Sequence, residues 1–431
     1  MKYKHLFALL SALPAFAAYS ATSDVAASAS KIESKVIEWR HHFHEHPELS
    51  NREFETSKYI ANYLRSLNMD VQTGVAKTGV VAILDSGNPG PTVGLRADMD
   101  GLPVLETSEL PWKSKARGEF NGKEVPVSHA CGHDTHMAML MGAATILSEM
   151  RSQLKGKVKF IFQPAEEGAP EGETGGAEVM VKEGVMKDVD VVFGLHINAR
   201  TNVGTVKYRH GGIMAAVDPF KVVIHGKQAH GAYPWLSVDP VVTSAQVIMG
   251  LQTLVSRELE LTDNAAVVTI GSIHGGVRSN IIPDKVELVG TIRTLNEKAR
   301  EHIYKSLPRK VNAIAESMGA SAEVILPLDY SYPITFNEPS LMDKMLPTLE
   351  ATAGKDNVIN TNAITGAEDF SFFQKEVPGL YLFVGGKPLD TPMDQAPAHH
   401  TPEFYVDDSG MNLGVELLSN LTIDYMNMHS K

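Results

Sequence analysis

Thr92-Val93-Gly94-Leu95-Arg96-Ala97-Asp98-Met99-Asp100 is a short, mostly apolar run that closes on two carboxylates. Its length and composition read as a buried strand. Two later stretches repeat the plan: Val158 to Phe162 leads into Gln163-Pro164-Ala165-Glu166-Glu167-Gly168, and Val189 to Leu195 leads into His196. Between them a helix pattern opens after His133, with Met137, Leu140, Met141, Ala144 and Leu147 at near-helical spacing. Strands alternating with helices predict an α/β layer built on a mixed, largely parallel sheet. In open α/β sheets ligands bind beyond the carboxyl ends of the strands. That rule gathers Asp98, Asp100, Cys131, His133, Glu166, Glu167 and His196 on one rim.

Working outward, helices are expected at Lys31 to His46 and Glu53 to Leu67, and a strand at Val80 to Leu84. Near Gly211 the pattern changes. The spacing predicts strand (Phe220 to His225), helix (Val238 to Leu259), strand (Ala265 to Ile273), strand (Lys285 to Leu295), helix (Glu297 to Met318) and strand (Ala322 to Leu326). This β-α-β-β-α-β order is ferredoxin-like. After Pro327 the chain returns to mixed α/β, with a helix near Leu341 to Ala353 and a strand at Tyr381 to Val384. The expected organisation is a leader at 1–22, a first catalytic part at 23–213, an inserted domain at 214–326 and a second catalytic part at 327–431.

With 431 residues the chain is too long for one ordinary core. Its 43% apolar and 21% charged residues exclude a disordered chain. A net charge of −12 argues against a nucleic-acid partner, which needs a basic face. Met1 to Lys4 carry two lysines, Leu6 to Ala18 is mostly apolar, and Ala15-Phe16-Ala17 is a small-x-small cleavage site. That layout is a secretory signal peptide, so the mature protein is expected in the periplasm or the medium, without a membrane span. A small-residue linker is expected at Ala21 to Ser30. The single cysteine, Cys131, excludes an intrachain disulfide framework, and its survival in an exported chain calls for burial or metal ligation.

Cys131 stands in Ser128-His129-Ala130-Cys131-Gly132-His133-Asp134-Thr135-His136. In an extended segment residues two apart point the same way, so Cys131 and His133 would reach one ion. A borderline-soft ion such as Zn²⁺ accepts both donors. The competing reading is a buried cysteine beside a helix-capping aspartate. Glu166-Glu167 is either a solvated pair or a division of labour, one carboxylate ligating metal and the other taking a proton from water that the metal acidifies. His399-His400 adds a further imidazole pair.

The strings RADMDGLP, HACGHDTHMAML, FQPAEEG, GLHI, GKQAHGAYP, SNIIPD, GTIRTL, GAEDFSFF and HHTPEF occur in that order. Together they resemble the metal-dependent aminoacylase and carboxypeptidase family, in the branch of hippurate hydrolases, auxin-conjugate hydrolases and N-acetyl-diaminopimelate deacetylases. The resemblance covers essentially the whole mature chain. It implies two divalent metal ions per subunit, with ligands at Cys131, His133, Glu167, His196 and His400. Zn²⁺, Mn²⁺, Co²⁺ and Ni²⁺ all tolerate such a set. It implies Glu166 as catalytic acid/base, Asp100 as a residue that orients a ligand, and a doubtful ligand role for Asp98. It makes the inserted domain a lid that dimerises, with His230 reaching the partner's site to steady the oxyanion. Asn280 and Arg293 would hold the substrate carboxylate, a task suited to the planar guanidinium fork. The implied activity is hydrolysis of N-acyl amino acids by a homodimer. The rivals are an exo-acting dipeptidase or carboxypeptidase on the same fold, and a non-catalytic metal or peptide binder, which would have no use for Glu166.

Overall fold

A computed structural model describes residues 13–262 and 265–429, with side chains described from Asp24 onward. The expected leader therefore lies outside the described residues up to position 12. The first helix, Leu13–Glu45, runs through the stretch expected to be a linker. Alanine is the best helix former and serine is tolerated. Val25, Ala29, Ile32, Val36, Trp39 and Phe43 recur every three or four residues. Five of them are buried and Ile32 is packed against the same core. Among the described residues no helix is long and apolar enough to cross a membrane.

The chain forms two compact units. The first comprises the chain up to Tyr208, Glu338–Thr361 and Glu376 onward, and the second Arg209–Asn337 with Asn362–Lys375. The first unit holds an eight-stranded mixed sheet in the order 70–75, 79–85, 157–163, 92–98, 191–202, 379–387, 206–208, 358–360. Its four central strands, 157–163 through 379–387, are parallel. They are buried along nearly their whole length, as parallel strands covered on both faces must be. The helix His133–Glu149 is buried from His133 to Leu147 and packs on Thr92–Asp98, on the first helix and on the helix Met411–His429. The last of these has no counterpart in the sequence reading. Buried Ser419, Asn420 and Thr422 interrupt its apolar stripe.

One strand boundary differs from expectation in a way that matters for the site. The strand expected to end at Leu195 runs from Val191 to Asn202. Its parallel neighbour Gly379–Lys387 keeps pairing with it from Val192 to Asn202. His196 therefore sits within the strand rather than after it.

The second unit holds a four-stranded antiparallel sheet in the order 266–275, 285–294, 216–225, 321–325. With the helices Pro240–Glu258 and Glu297–Ser317 this is the β-α-β-β-α-β arrangement. Both helices open on side-chain caps. Asp239 accepts from the Val241 and Val242 amides, with Pro240 in the first turn, and Asn296 accepts from those of Lys298 and Ala299. Around this core the Gly211–Met214 strand pairs with Thr335–Asn337, and Met214 bridges Ile364.

Candidate active site

The carboxyl ends of the parallel strands carry the polar residues inward. Asp98, the last residue of its strand, is fully buried. It accepts from Arg96 Nη1 at 2.7 Å and from His136 Nδ1 at 2.6 Å. The Ile197 amide donates to His136 Nε2 at 2.8 Å, so the His136 proton sits on Nδ1 and both ring nitrogens are used. His136 thus fastens the end of the Thr92–Asp98 strand to Ile197 within the neighbouring strand and has no lone pair left for a metal.

Cys131 and His133 do not lie on one extended run. The chain turns at Gly132, whose φ of 99° favours glycine, and a Cβ there would fall 2.3 Å from Ile197 Cγ2. The turn sends the two side chains into different donor groups. Cys131 Sγ lies 3.4 Å from His196 Nε2 and 3.3 Å from His400 Nε2. His400 Nε2 is also 3.0 Å from Glu167 Oε1. His133 Nε2 faces Asp98, Glu166 and Glu167 carboxylate oxygens at 3.7, 3.8 and 3.9 Å. Cys131, Glu167 and His400 form one potential ligand group, and His133, Glu166 and Glu167 another, so Glu167 is common to both.

Hydrogen bonds at the far nitrogens aim these rings. His196 Nδ1 donates to the Ile197 carbonyl at 2.6 Å, which leaves the Nε2 lone pair toward Cys131. His133 Nδ1 donates to the Asp100 carbonyl at 2.8 Å. His399, the neighbour of His400, accepts from the Ala199 amide at Nε2, and its Nδ1 lies 3.1 Å from the Cys131 carbonyl and 3.8 Å from Cys131 Sγ, so Cys131, His196 and His399 form a further potential ligand group. His400 itself adopts a left-handed φ of 63° and is tied by its amide to Ala130 O at 2.8 Å.

Asp100 is the organiser beneath the site. Its Oδ1 accepts from the Glu166 amide at 3.2 Å, and its Oδ2 from the Glu167 amide at 3.0 Å and Ser50 Oγ at 2.7 Å. Its Oδ1 also lies 3.2 Å from His133 Nδ1.

The electrostatics fit a bound cation. Burial, then Glu167 and Glu166, pushes the Cys131 thiol well above its ordinary range, so its thiolate needs positive charge beside it. Burial pulls the His133 imidazole down, but Asp98 and Asp100 outweigh it and raise the group to about 10. His133 Nε2 is buried and makes no hydrogen bond, an orphaned donor atom of the kind a metal satisfies. Thiolate, imidazole and carboxylate donors together suit Zn²⁺ or its transition-metal neighbours.

The other three expected residues belong to the second unit. His230 is exposed in a short ladder, Ala229–His230 against Ile281–Ile282, and the Gly231 amide donates to the Asn280 carbonyl at 2.8 Å. His230 and Asn280 are thus neighbours in one structure. The Ala232 amide donates to His230 Nδ1 at 3.0 Å, which places the His230 proton on Nε2. Arg293, partly buried on the Lys285–Thr294 strand, lies opposite Val217 and Val267 in register.

Sequence reasoning missed the layer behind the ligands. Arg40 Nε and His44 Nδ1 reach Asp134 Oδ2 at 3.2 and 2.9 Å, and Arg40 also bonds Val406 O and Asp408. Their spacing of four on a helix was the available signal.

The chain matches the model of Peptidase family M20/M25/M40 over residues 94–424. It is 40% identical over 398 residues to "Thermostable carboxypeptidase 2" of Saccharolobus solfataricus, covering 92% of this chain and 97% of that one. It is 35% identical over 393 residues to "N-acetylcysteine deacetylase" of Bacillus subtilis, covering 90% and 96%. Among solved structures, the Bacillus subtilis YXEP protein, described as a dinuclear metal binding peptidase from the M20 family, superposes with a TM-score of 0.76. It shares 31% identity and covers 92% of this chain and 99% of its own. With the family model spanning most of the chain, and relatives above 30% identity aligned nearly end to end, this chain belongs to the M20/M25/M40 family of peptidases.

Proposed function

We propose that the protein is a metal-dependent amidohydrolase that cleaves the amide bond of N-acyl amino acids. The observation that carries this reading is that two potential ligand groups share Glu167 and that one of them brings Glu166 beside His133. Cys131, His133, Glu167, His196 and His400 would hold two divalent cations, which when bound polarise the amide carbonyl and acidify water. Glu166, buried beside His133, takes the proton of the attacking water and returns it to the leaving amine. Asp100 keeps Glu166 and Glu167 in place through their amides. His230, with its proton on Nε2, donates to the oxyanion of a partner subunit's substrate. Arg293 and Asn280 hold the carboxylate of the amino-acid half. The second unit serves as lid and dimerisation domain, and residues 1–22 export the protein to the periplasm or the medium.

Carboxypeptidase action is the second reading, and the relative named a carboxypeptidase favours it. Both reactions cut next to an amino acid with a free carboxylate and differ only in what lies on the acyl side. The test is a panel of N-acetyl and N-benzoyl amino acids, dipeptides and longer peptides, run on metal-stripped enzyme reloaded with Zn²⁺, Mn²⁺, Co²⁺ or Ni²⁺. The proposal expects kcat/KM to be highest for acyl amino acids. Preference for dipeptides or longer peptides would give the second reading. No turnover of any amide at saturating metal would leave a binding protein.

A further inference from the structure

The loop after Gln163 carries both Glu166 and Glu167, yet it belongs to no regular element until Gly176. Its backbone is committed to an uncommon shape. Ala165 has φ 51°, a left-handed conformation that costs a non-glycine residue free energy. Three consecutive amides, those of Ala165, Glu166 and Glu167, end on buried carboxylates. The Glu166 and Glu167 amides go to Asp100, and the Ala165 amide goes to Glu53 Oε1 at 2.9 Å. Glu53 is completely buried, and its Oε2 accepts from Thr78 Oγ1 at 2.7 Å.

Glu53 does not act alone. It closes the run Ser50-Asn51-Arg52-Glu53, every member of which grips this loop or its anchor. Ser50 Oγ donates to Asp100, and Asn51 Nδ2 donates to Glu173 and to Thr174 O. Arg52 Nη2 pairs with Glu173 Oε1 at 2.7 Å, and Lys77 adds a bond to Glu173 Oε2 at 2.8 Å. The run precedes the helix Phe54–Ser66, and Glu53 makes no side-chain cap to that helix. A capping role therefore does not account for a carboxylate here.

We infer that Ser50–Glu53 is a positioning clamp for the Glu166–Glu167 loop, and that Glu53, by holding the Ala165 amide, sets the left-handed turn that aims both carboxylates. This rests on the proposed roles of Glu166 and Glu167 for its consequence in turnover, though not for its geometry. The purpose of such a clamp is rigidity. A general base misplaced by about 1 Å loses on the order of 10²-fold in rate, and a loop without regular structure does not hold that tolerance unaided. Burial, then Asp100, raises the Glu53 carboxyl to about 8. Glutamine, with its neutral amide, is accordingly a close replacement.

Two substitutions separate reach from charge. Glu53→Gln keeps a carbonyl oxygen for the Ala165 amide and offers an N–H to the Thr78 oxygen. Glu53→Asp keeps the acid but is one methylene short. Both are compared with wild type as full-length, metal-loaded protein, by steady-state kinetics on an N-acyl amino acid and by hydrogen exchange of peptides spanning residues 164–175. In Glu53→Asp we expect kcat to fall about 10- to 100-fold with KM within about threefold. Exchange at Ala165 to Glu167 should rise at least about tenfold. Glu53→Gln should stay within about threefold of wild type in both readouts. Wild-type kcat and exchange in Glu53→Asp would overturn the clamp, and so would a Glu53→Gln variant as impaired as Glu53→Asp. If Glu166→Gln keeps full turnover, the reaction proposed for Glu166 fails, while the exchange measurement still decides the clamp.

Discussion

Glu166 and Glu167 are adjacent in the chain, and their surroundings give them different work. Glu167 is common to the Cys131–His400 group and the His133 group, whereas Glu166 joins the His133 group and a second one with Asp98 and Glu368. Glu166→Gln should therefore keep the metal content and fold of wild type and lose on the order of 10²–10⁴-fold in kcat, the worth of one general acid/base. Metal analysis beside steady-state kinetics checks this, and wild-type activity would remove Glu166 from the mechanism. Cys131 and His133 make a second prediction. The buried thiol and the raised imidazole both hold protons near neutral pH in the absence of a cation. Reloading stripped protein at pH 7 should release at least about two protons, with His400, whose imidazole the Glu167 carboxylate raises, adding to them. Titration calorimetry in buffers of different ionisation enthalpy measures that number. Cys131 should also resist thiol reagents when loaded and, because its buried thiol keeps its proton once the cation is gone, become labelled after chelation at a rate that climbs as pH is raised. Equal labelling in both states, with no proton release, would mark Cys131 as an ordinary core residue.

At the scale of elements, the first helix does more than cover the sheet. Its apolar positions face the core, while Arg40 and His44 extend from it to Asp134, one residue past His133. Burial lowers the His44 imidazole, but the hydrogen bond Nδ1 donates to Asp134 and the Glu106 carboxylate 3.2 Å from Nε2 outweigh burial and raise it to about 9. The folded state thus binds this proton more tightly than the unfolded chain, whose histidine titrates near 6.5. The stabilisation is full below about pH 6.5 and is lost as pH climbs through about 9. A shift of this size corresponds to about 3 kcal/mol. Denaturant unfolding of metal-loaded protein should show wild type losing stability against His44→Gln across that window. Parallel pH profiles for the two proteins would mean that His44 is not protonated in the folded state.

At the scale of the whole molecule, the proposed trans role of His230 makes oligomeric state a condition of activity. His230→Ala should lower kcat by roughly 10²–10³-fold, the usual worth of one oxyanion donor, with a smaller change in KM. Arg293→Ala should chiefly raise KM, because a carboxylate anchor acts already in the ground state. Mixing inactive Glu166→Gln with inactive His230→Ala protein should restore part of the activity. In a mixed dimer one site pairs a native Glu166 from one subunit with a native His230 from the other. Mass measurement of subunit exchange makes the result decisive. Mixed dimers as inactive as both parents would place His230 in its own subunit's chemistry or in none.

Much of the fold was legible because its signals are local. Apolar runs at strand length, the helix pattern after His133 and the β-α-β-β-α-β order each depend on residues a few positions apart. The positions of Asp98 and Glu166–Glu167 after strands then point to the rim. Other features were decided by residues far apart in sequence. Ala21–Ser30 reads as a linker until burial of Val25 and Ala29 makes it helix. Cys131 and His133 read as co-ligands until the left-handed turn at Gly132, packed against Ile197, divides them between two groups. Glu53 and Ala165 stand 112 positions apart, His44 and Asp134 90, and Cys131 and His400 269. Periodicity carries the identity of an element because the backbone repeats locally. The partner of a buried polar group is chosen only when folding excludes water and leaves each donor the acceptors that packing has brought within reach.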